Sequence, residues 1–150
     1  MTGLILGIMV LFVVMFVGIW GLVVFILSQL GWRGLMRWQT RNEPTGKAFG
    51  WSAATVGVVK FRHSLNVWVD REGFWLKPVR VFALFHPTLF IPWRDVRTVE
   101  HQRVLLAFTA VSVELQGSDT KLLFWDASGS ALLEAWEGLQ PRAFESSSRP

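Results

Sequence analysis

No residue before Arg33 carries a charge, and between Met1 and Trp32 most side chains are Leu, Ile, Val, Met, Phe or Gly. A bilayer core of about 30 Å takes roughly 20 apolar residues as helix. Leu4 to Leu30 exceeds that length, so a helix here tilts or emerges slightly at one end. Whatever else the chain builds is tied to a membrane-spanning helix over residues 1–32. A cleaved signal peptide would want a basic start, a shorter apolar core and a small-x-small exit site, whereas Met1, Thr2 and Gly3 carry no Lys or Arg. Arg33, Arg37, Arg41 and Lys47 follow the span instead. Basic residues on that side alone orient the N-terminus outside and residues 33–150 in the cytoplasm; a lumenal or periplasmic C-terminal domain is the alternative.

About 105 residues remain beyond the anchor, enough for one modest core and too few for two domains. The chain contains no cysteine, so disulfides, thiolate metal sites and cysteine nucleophiles are excluded. Its net charge of +4 is unevenly placed. Gly31 to Arg103 holds 12 basic and 5 acidic residues, and Val104 to Pro150 holds 3 and 6. The basic half is the half next to the span, where each Lys or Arg reaching an anionic leaflet contributes about 1 kcal/mol. Lys60, Arg62 and Arg80 belong to that half. No reading helix, zinc finger or aromatic-interleaved RNA motif is present, so nucleic acid is not the expected partner.

Within the span, Gly3, Gly7, Gly18, Gly21 and Ser28 fall within an arc of about 80° at 100° per residue. Such a stripe permits close approach of a second helix, because association in lipid depends on small residues letting backbones touch. The alternative is the ordinary abundance of Gly in membrane helices. The span has no His, Asp, Glu, Lys or Arg, which removes an ion pathway, a proton relay and imidazole haem ligation within the bilayer. At the exit, Trp32 and Trp38 flank Arg33, Arg37 and Arg41. As a continuing α-helix this stretch puts three guanidinium groups on one face and two indoles at headgroup level. An ordinary stop-transfer flank would look the same. Asn42-Glu43-Pro44-Thr45-Gly46 then breaks the helix, so residues 33–50 read as a basic juxtamembrane helix and linker.

From there the pattern alternates. Ala54 to Arg62, Leu65 to Asp70, Phe74 to Val79, Val81 to Phe85, Thr88 to Trp93, Val96 to Gln102, Ala110 to Leu115 and Lys121 to Trp125 read as strands. Asp70-Arg71-Glu72-Gly73 and Gln116-Gly117-Ser118-Asp119 are hairpin turns, and Pro87 and Pro92 put the fifth segment on an edge or bend. Val111, Val113 and Leu115 are expected inward, Ser112 and Glu114 outward. Asp126 or Ser128 caps a helix with Leu132, Ala135, Trp136 and Leu139 on one side, ending near Gly138. The expectation is a mainly-β domain over 51–140: seven or eight antiparallel strands in a sandwich or partly open barrel, capped by one C-terminal helix. Residues 141–150 are too polar to bury and read as a disordered tail.

The order of elements, with the run Leu65-Asn66-Val67 through Glu72-Gly73-Phe74 to His86-Pro87-Thr88-Leu89-Phe90-Ile91-Pro92-Trp93, resembles a bacterial pleckstrin-homology-like or GRAM-like domain. More closely, it resembles small bacterial membrane proteins that carry one on a single anchor. The resemblance covers about 85 residues. It implies a scaffold at the bacterial inner membrane and carries over no catalytic or ligand residue.

Chemistry is sparse. His63, His86 and His101 match no metal-ligand spacing, although Asp95 and Glu100 lie near two of them. His86 before Pro87 reads as a turn residue and His101 as an exposed strand position. There is no phosphate loop, nucleophile elbow or H-E-x-x-H motif. Phe90 and Trp93 beside Arg94 and Arg97 form a possible docking edge, though a Trp after Pro more often buries its ring while its N–H finds a carbonyl. The expected protein is not an enzyme and takes no cofactor or metal. It is an accessory or assembly subunit docking on other integral membrane subunits, or alternatively a sensor or adaptor for anionic membrane lipids.

Overall fold

The structure, a computed structural model, describes residues 1–104 and 108–147. Helix α1 (Thr2–Leu27) passes without a break into a π-helical turn, Ser28–Trp32, and a 3-10 helix, Arg33–Trp38. Among the described residues this is the one helix long and apolar enough to cross a membrane. Seven antiparallel strands follow: β1 (Lys47–Val56), β2 (Val59–Val69), β3 (Gly73–Pro78), β4 (Leu89–Pro92), β5 (Val96–Val104), β6 (Phe108–Leu115) and β7 (Leu122–Phe124). They form one sheet in the order β4-β3-β2-β1-β7-β6-β5, curled into a half-barrel. Helix α2 (Ala127–Ser147) closes it.

Local chemistry explains most of these elements. Val56 pairs with Val59 across a two-residue turn, Gly57-Val58. Gly57 has φ +60, the left-handed geometry that a Gly-X hairpin turn requires at its first position. The expected strand Ala54 to Arg62 is therefore two strands with their hairpin between them. β1 starts at Lys47, inside the stretch read as linker. The Asp70–Gly73 and Gln116–Asp119 turns join β2 to β3 and β6 to β7 as expected. Pro92 closes β4, which is a sheet edge. The chain leaving Trp38 partly covers that edge, through a Gln39–Leu89 bridge and a Thr40 N–H to the Thr88 carbonyl at 2.9 Å.

Val81 to Phe85 is not a strand. Both neighbours of β3 are taken by β2 and β4, and the outer side of β4 is met by the chain leaving Trp38, so the connection between β3 and β4 finds no place beside either strand. It coils instead into a 3-10 arch, Arg80–Phe85, packed against α1.

The core lies inside the curl, with Leu65, Val67, Phe74, Leu89, Val113 and Leu122 fully enclosed. Val111, Val113 and Leu115 face inward as alternation requires, but Ser112 is also buried, because this small side chain sits between larger neighbours, Glu100 and Leu123, on the flanking strands. Asp126 caps α2 by accepting the Ser128 N–H at 3.1 Å, and it also accepts the Ala53 N–H at 2.9 Å, tying the helix start to β1. Leu132 is fully buried, and Ala135, Trp136 and Leu139 pack beside the core. α2 continues past Gly138, through the first part of the expected tail; Ser148, Arg149 and Pro150 lie outside the described residues.

Candidate functional site

The exit from α1 is built into the β-domain. Trp32 is 0% exposed and its Nε1–H donates to the Pro87 carbonyl at 3.0 Å; Trp38 donates to an Asp95 carboxylate oxygen at 2.8 Å. Both indoles are enclosed by the domain and present no face to lipid. The two indoles enter the core with each N–H satisfied by a part-buried acceptor of the β-domain. Leu35 lies between them, fully buried.

The face expected to align Arg33, Arg37 and Arg41 does not form either. A 3-10 helix turns about 120° per residue, so residues four apart diverge, and the helix ends at Trp38, before Arg41. Arg33 approaches Gln29 at 3.5 Å. Arg37 lies 4.8 Å from the Trp38 ring and reaches the Gly117 carbonyl at 3.5 Å.

One turn earlier, the helix is pinned to the arch. The Ser28 hydroxyl donates to the Phe85 carbonyl at 2.7 Å, and the Phe25 and Phe85 rings meet edge-on at 5.4 Å. Ser28 is therefore turned into the domain and unavailable to a second helix. His86, at the end of the arch, is a turn residue but a buried one. Its ring packs 5.3 Å from Trp32 and 5.8 Å from Phe61, and Nδ1–H donates to the Phe82 carbonyl at 2.8 Å. Nε2 is buried without a partner. Burial holds this imidazole below its usual pKa, against the opposing pull of the Phe82 carbonyl, so it is neutral at pH 7.

Beside the arch, the outer face of β2 carries the candidate site. β1 bulges between Phe49 and Ala54, and Trp51 (φ 54) and His63 (φ 52) both take left-handed backbone. For a bulky residue that is costly, about 1–3 kcal/mol, and needs surrounding structure to hold it. The hold is visible: His63 Nδ1–H donates to the Trp51 carbonyl at 3.0 Å, and Asn66 Oδ1 accepts the Trp51 N–H at 3.1 Å. The result aims the Trp51 ring into solvent, 68% exposed.

A cleft of ≈ 710 Å³ opens there, lined by Trp51, Arg62, His63, Trp68, Lys77 and Arg80 among others. Arg62 and His63 also line a neighbouring cleft of ≈ 420 Å³ with Lys60, Trp125 and Phe108. The Lys60 ammonium stands 5.0 Å from the Trp125 ring. Lys77 pairs with Glu43 at 3.7 Å, whereas Lys60, Arg62 and Arg80 make no ion pair among the described residues. Of the six cations expected to approach lipid, Lys60, Arg62 and Arg80 are thus gathered around one double cleft with aromatic walls, while Arg33, Arg37 and Arg41 are not part of it. Such a surface can take an anionic group and stack its apolar portion. Sequence reasoning missed Trp51, Trp68, Phe108 and Trp125, and considered His63 only as a metal or acid–base candidate. They lie on separate segments of the chain, and neither the fold that gathers them nor the bulge that turns Trp51 outward is announced by any spacing.

The remaining candidates stay apart. Gly3, Gly7, Gly18 and Gly21 lie on α1, and a Cβ added at any of them meets nothing within 4 Å. At the proposed docking edge, Trp93 is buried and its N–H donates to the Asp70 carbonyl at 3.0 Å, as its role of core anchor requires. Phe90 packs 4.5 Å from Trp75, leaving Arg94 and Arg97 as the exposed members. Asp95 is occupied by Trp38, and His101 is an exposed strand position. Among the described residues no three His, Asp or Glu side chains are placed to hold a metal. Comparison with protein-family models, with curated proteins and with solved structures found no match.

Proposed function

We propose that this is a non-enzymatic, single-pass membrane protein whose β-domain works against the anionic cytoplasmic face of a bacterial inner membrane. The Lys60, Arg62 and Arg80 cleft takes phospholipid headgroups. One observation carries the reading: the helix is joined to the domain by a clamp. Ser28 and Trp32 bond to the carbonyls of Phe85 and Pro87, at the end of the arch whose first residue is Arg80. If α1 spans the bilayer, the clamp holds the cleft at a set height near the headgroups, where clustered unpaired cations gain most from anionic lipid. The curled sheet with its closing helix is compatible with a pleckstrin-homology-like scaffold, a fold that hosts many kinds of binding; the headgroup reading rests on the cleft.

The test uses the full-length protein in nanodiscs of phosphatidylcholine, with and without phosphatidylglycerol. Backbone hydrogen exchange over residues 51–68 and 77–82 should slow when the anionic lipid is present and recover at high salt. Equal exchange in both discs would end the headgroup reading.

A second reading, an accessory subunit docked on a larger membrane complex, is favoured by the open Cβ positions of Gly3, Gly7, Gly18 and Gly21. It expects Gly7, Gly18 and Gly21 all changed to Leu to lose a partner that copurifies with the native chain, while inserting normally. Retention of that partner by the triple variant would remove the stripe argument.

A further inference from the structure

Val81 is 58% exposed, Leu84 66% and Phe85 38%, although all three belong to the short arch Arg80–Phe85. Exposed apolar side chains grouped in this way on a water-facing loop would be a liability. Their position gives them a different surrounding. Phe85 touches Phe25 of α1, and Phe25 lies about 32 Å along the helix from Leu4, at 1.5 Å per residue. A bilayer core is about 30 Å thick. The arch therefore meets the helix at the depth where hydrocarbon gives way to headgroups. Leu30 (58% exposed) and Val58 (75%) are further exposed apolar residues near the helix exit. The β1–β2 turn approaches the helix there, with the Cβ position of Gly57 3.5 Å from the Leu30 carbonyl oxygen.

We infer that Val81, Leu84 and Phe85 are immersed in the bilayer interface beside α1, making the arch a second membrane contact and the lipid its partner. This rests on α1 spanning the membrane and deepens the headgroup reading. Arg80 opens the arch and lines the cleft, so its stem runs along apolar surface while its guanidinium stays at phosphate level, as long basic side chains do at this boundary. Two attachments, helix and arch, prevent the domain from swivelling about α1 and keep the cleft turned to the leaflet. The arch's hold on the helix, through the Ser28 hydroxyl and the Phe25 ring, gives the immersed residues a fixed depth.

The chain has no cysteine, so single-cysteine spin labelling needs no background removal. Leu84→Cys, Val81→Cys, Leu22→Cys on the exposed side of α1 and Ser130→Cys on the exposed surface of α2 would be labelled in the full-length protein. Each would be reconstituted in vesicles of phosphatidylcholine and phosphatidylglycerol. The readout is collision of the nitroxide with oxygen, which concentrates in hydrocarbon, relative to a water-soluble nickel chelate.

The expected result is an oxygen-to-nickel ratio at Leu84 and Val81 several-fold above that at Ser130 and approaching that at Leu22. Ratios at the two arch positions equal to Ser130, with Leu22 high, would overturn the arch while leaving the span intact. A low ratio at Leu22 as well would overturn the span and the arch together. Labels in the arch shielded from both reagents would mean that a second copy covers it, which also overturns the inference. The headgroup reading has its own readout in the exchange experiment, so the two can fail separately.

Discussion

Two stretches of this protein pair tryptophan with arginine, and they are used in opposite ways. From Trp32 to Trp38 the indoles face inward, closing the core and bonding to Pro87 and Asp95, while Arg33 and Arg37 stay outside. Around β2, Trp51 stands in solvent beside Arg62 and His63, on a backbone that bulky residues rarely adopt. In the first stretch aromatic surface supplies stability to a small domain. In the second, strain is held in place by His63 and Asn66 and an aromatic ring is kept exposed. The difference teaches that a basic and aromatic pattern is not itself a surface signal. Trp32 and Trp38 each reach an acceptor on the β-domain, whereas the left-handed backbone at Trp51 holds its ring outward.

The sharpest way to break this comparison is to truncate one indole from each stretch. Trp32→Ala should cost about 3–5 kcal/mol of stability, read as a large drop in the detergent-solubilised protein's unfolding midpoint. Trp51→Ala should stay within about 0.5 kcal/mol, and Trp51→Gly should gain slightly by relieving the left-handed backbone. Similar losses for Trp32→Ala and Trp51→Ala would show that the exposed ring is structural.

Removing charge tests the other half of each pair. At about 1 kcal/mol per cation, Lys60→Gln with Arg62→Gln and Arg80→Gln should weaken affinity for anionic headgroups by on the order of 100-fold at low salt. The loss is measured as lost lipid-dependent exchange protection. Arg33→Gln with Arg37→Gln should do much less, since Arg37 is engaged with Trp38 and Gly117. Equal effects would move the headgroup contact to the helix exit.

Glycines in the same continuous helix sharpen the contrast between its buried end and its open face. A Cβ on Gly31 would come within 2.7 Å of the Val56 carbonyl oxygen, so Gly31→Ala should cost about 1–3 kcal/mol in thermal or denaturant unfolding. Gly21→Ala, with nothing within 4 Å, should leave stability unchanged.

The smallest effect concerns pH. His86 is held neutral by burial, below its ordinary value of 6.5. Below that pH the unfolded chain takes up a proton that the folded chain refuses, so stability falls as pH drops from about 6.5 toward the folded pKa, by at most about 1.4 kcal/mol per pH unit. The midpoint of His86→Phe should lack this component when compared with the native chain across pH 7 to 5. An unchanged pH profile would show that His86 titrates freely.

Much of the fold was legible along the chain. The uncharged run, the Asp70–Gly73 hairpin, the proline-bounded edge strand and the Asp126 cap depend on residues close in sequence, and the Trp93 anchor was signalled by the proline before it although its acceptor, the Asp70 carbonyl, is distant. The site was legible only in its charges. Lys60, Arg62 and Arg80 come together because β2 and the arch after β3 are neighbours in space, and Trp51 joins them through a bulge that no spacing announces.

The sequence alone determined that the chain begins with a helix able to cross a bilayer and continues into an antiparallel β-domain closed by one helix, because hydrophobic period and turn chemistry act over a few residues. Tertiary structure alone decided that Val81 to Phe85 coils instead of extending, that Trp32 and Trp38 leave the surface, and that Ser28 locks helix to domain. Each of these depends on what stands opposite: an occupied sheet neighbour, or a carbonyl or carboxylate contributed from more than fifty residues away.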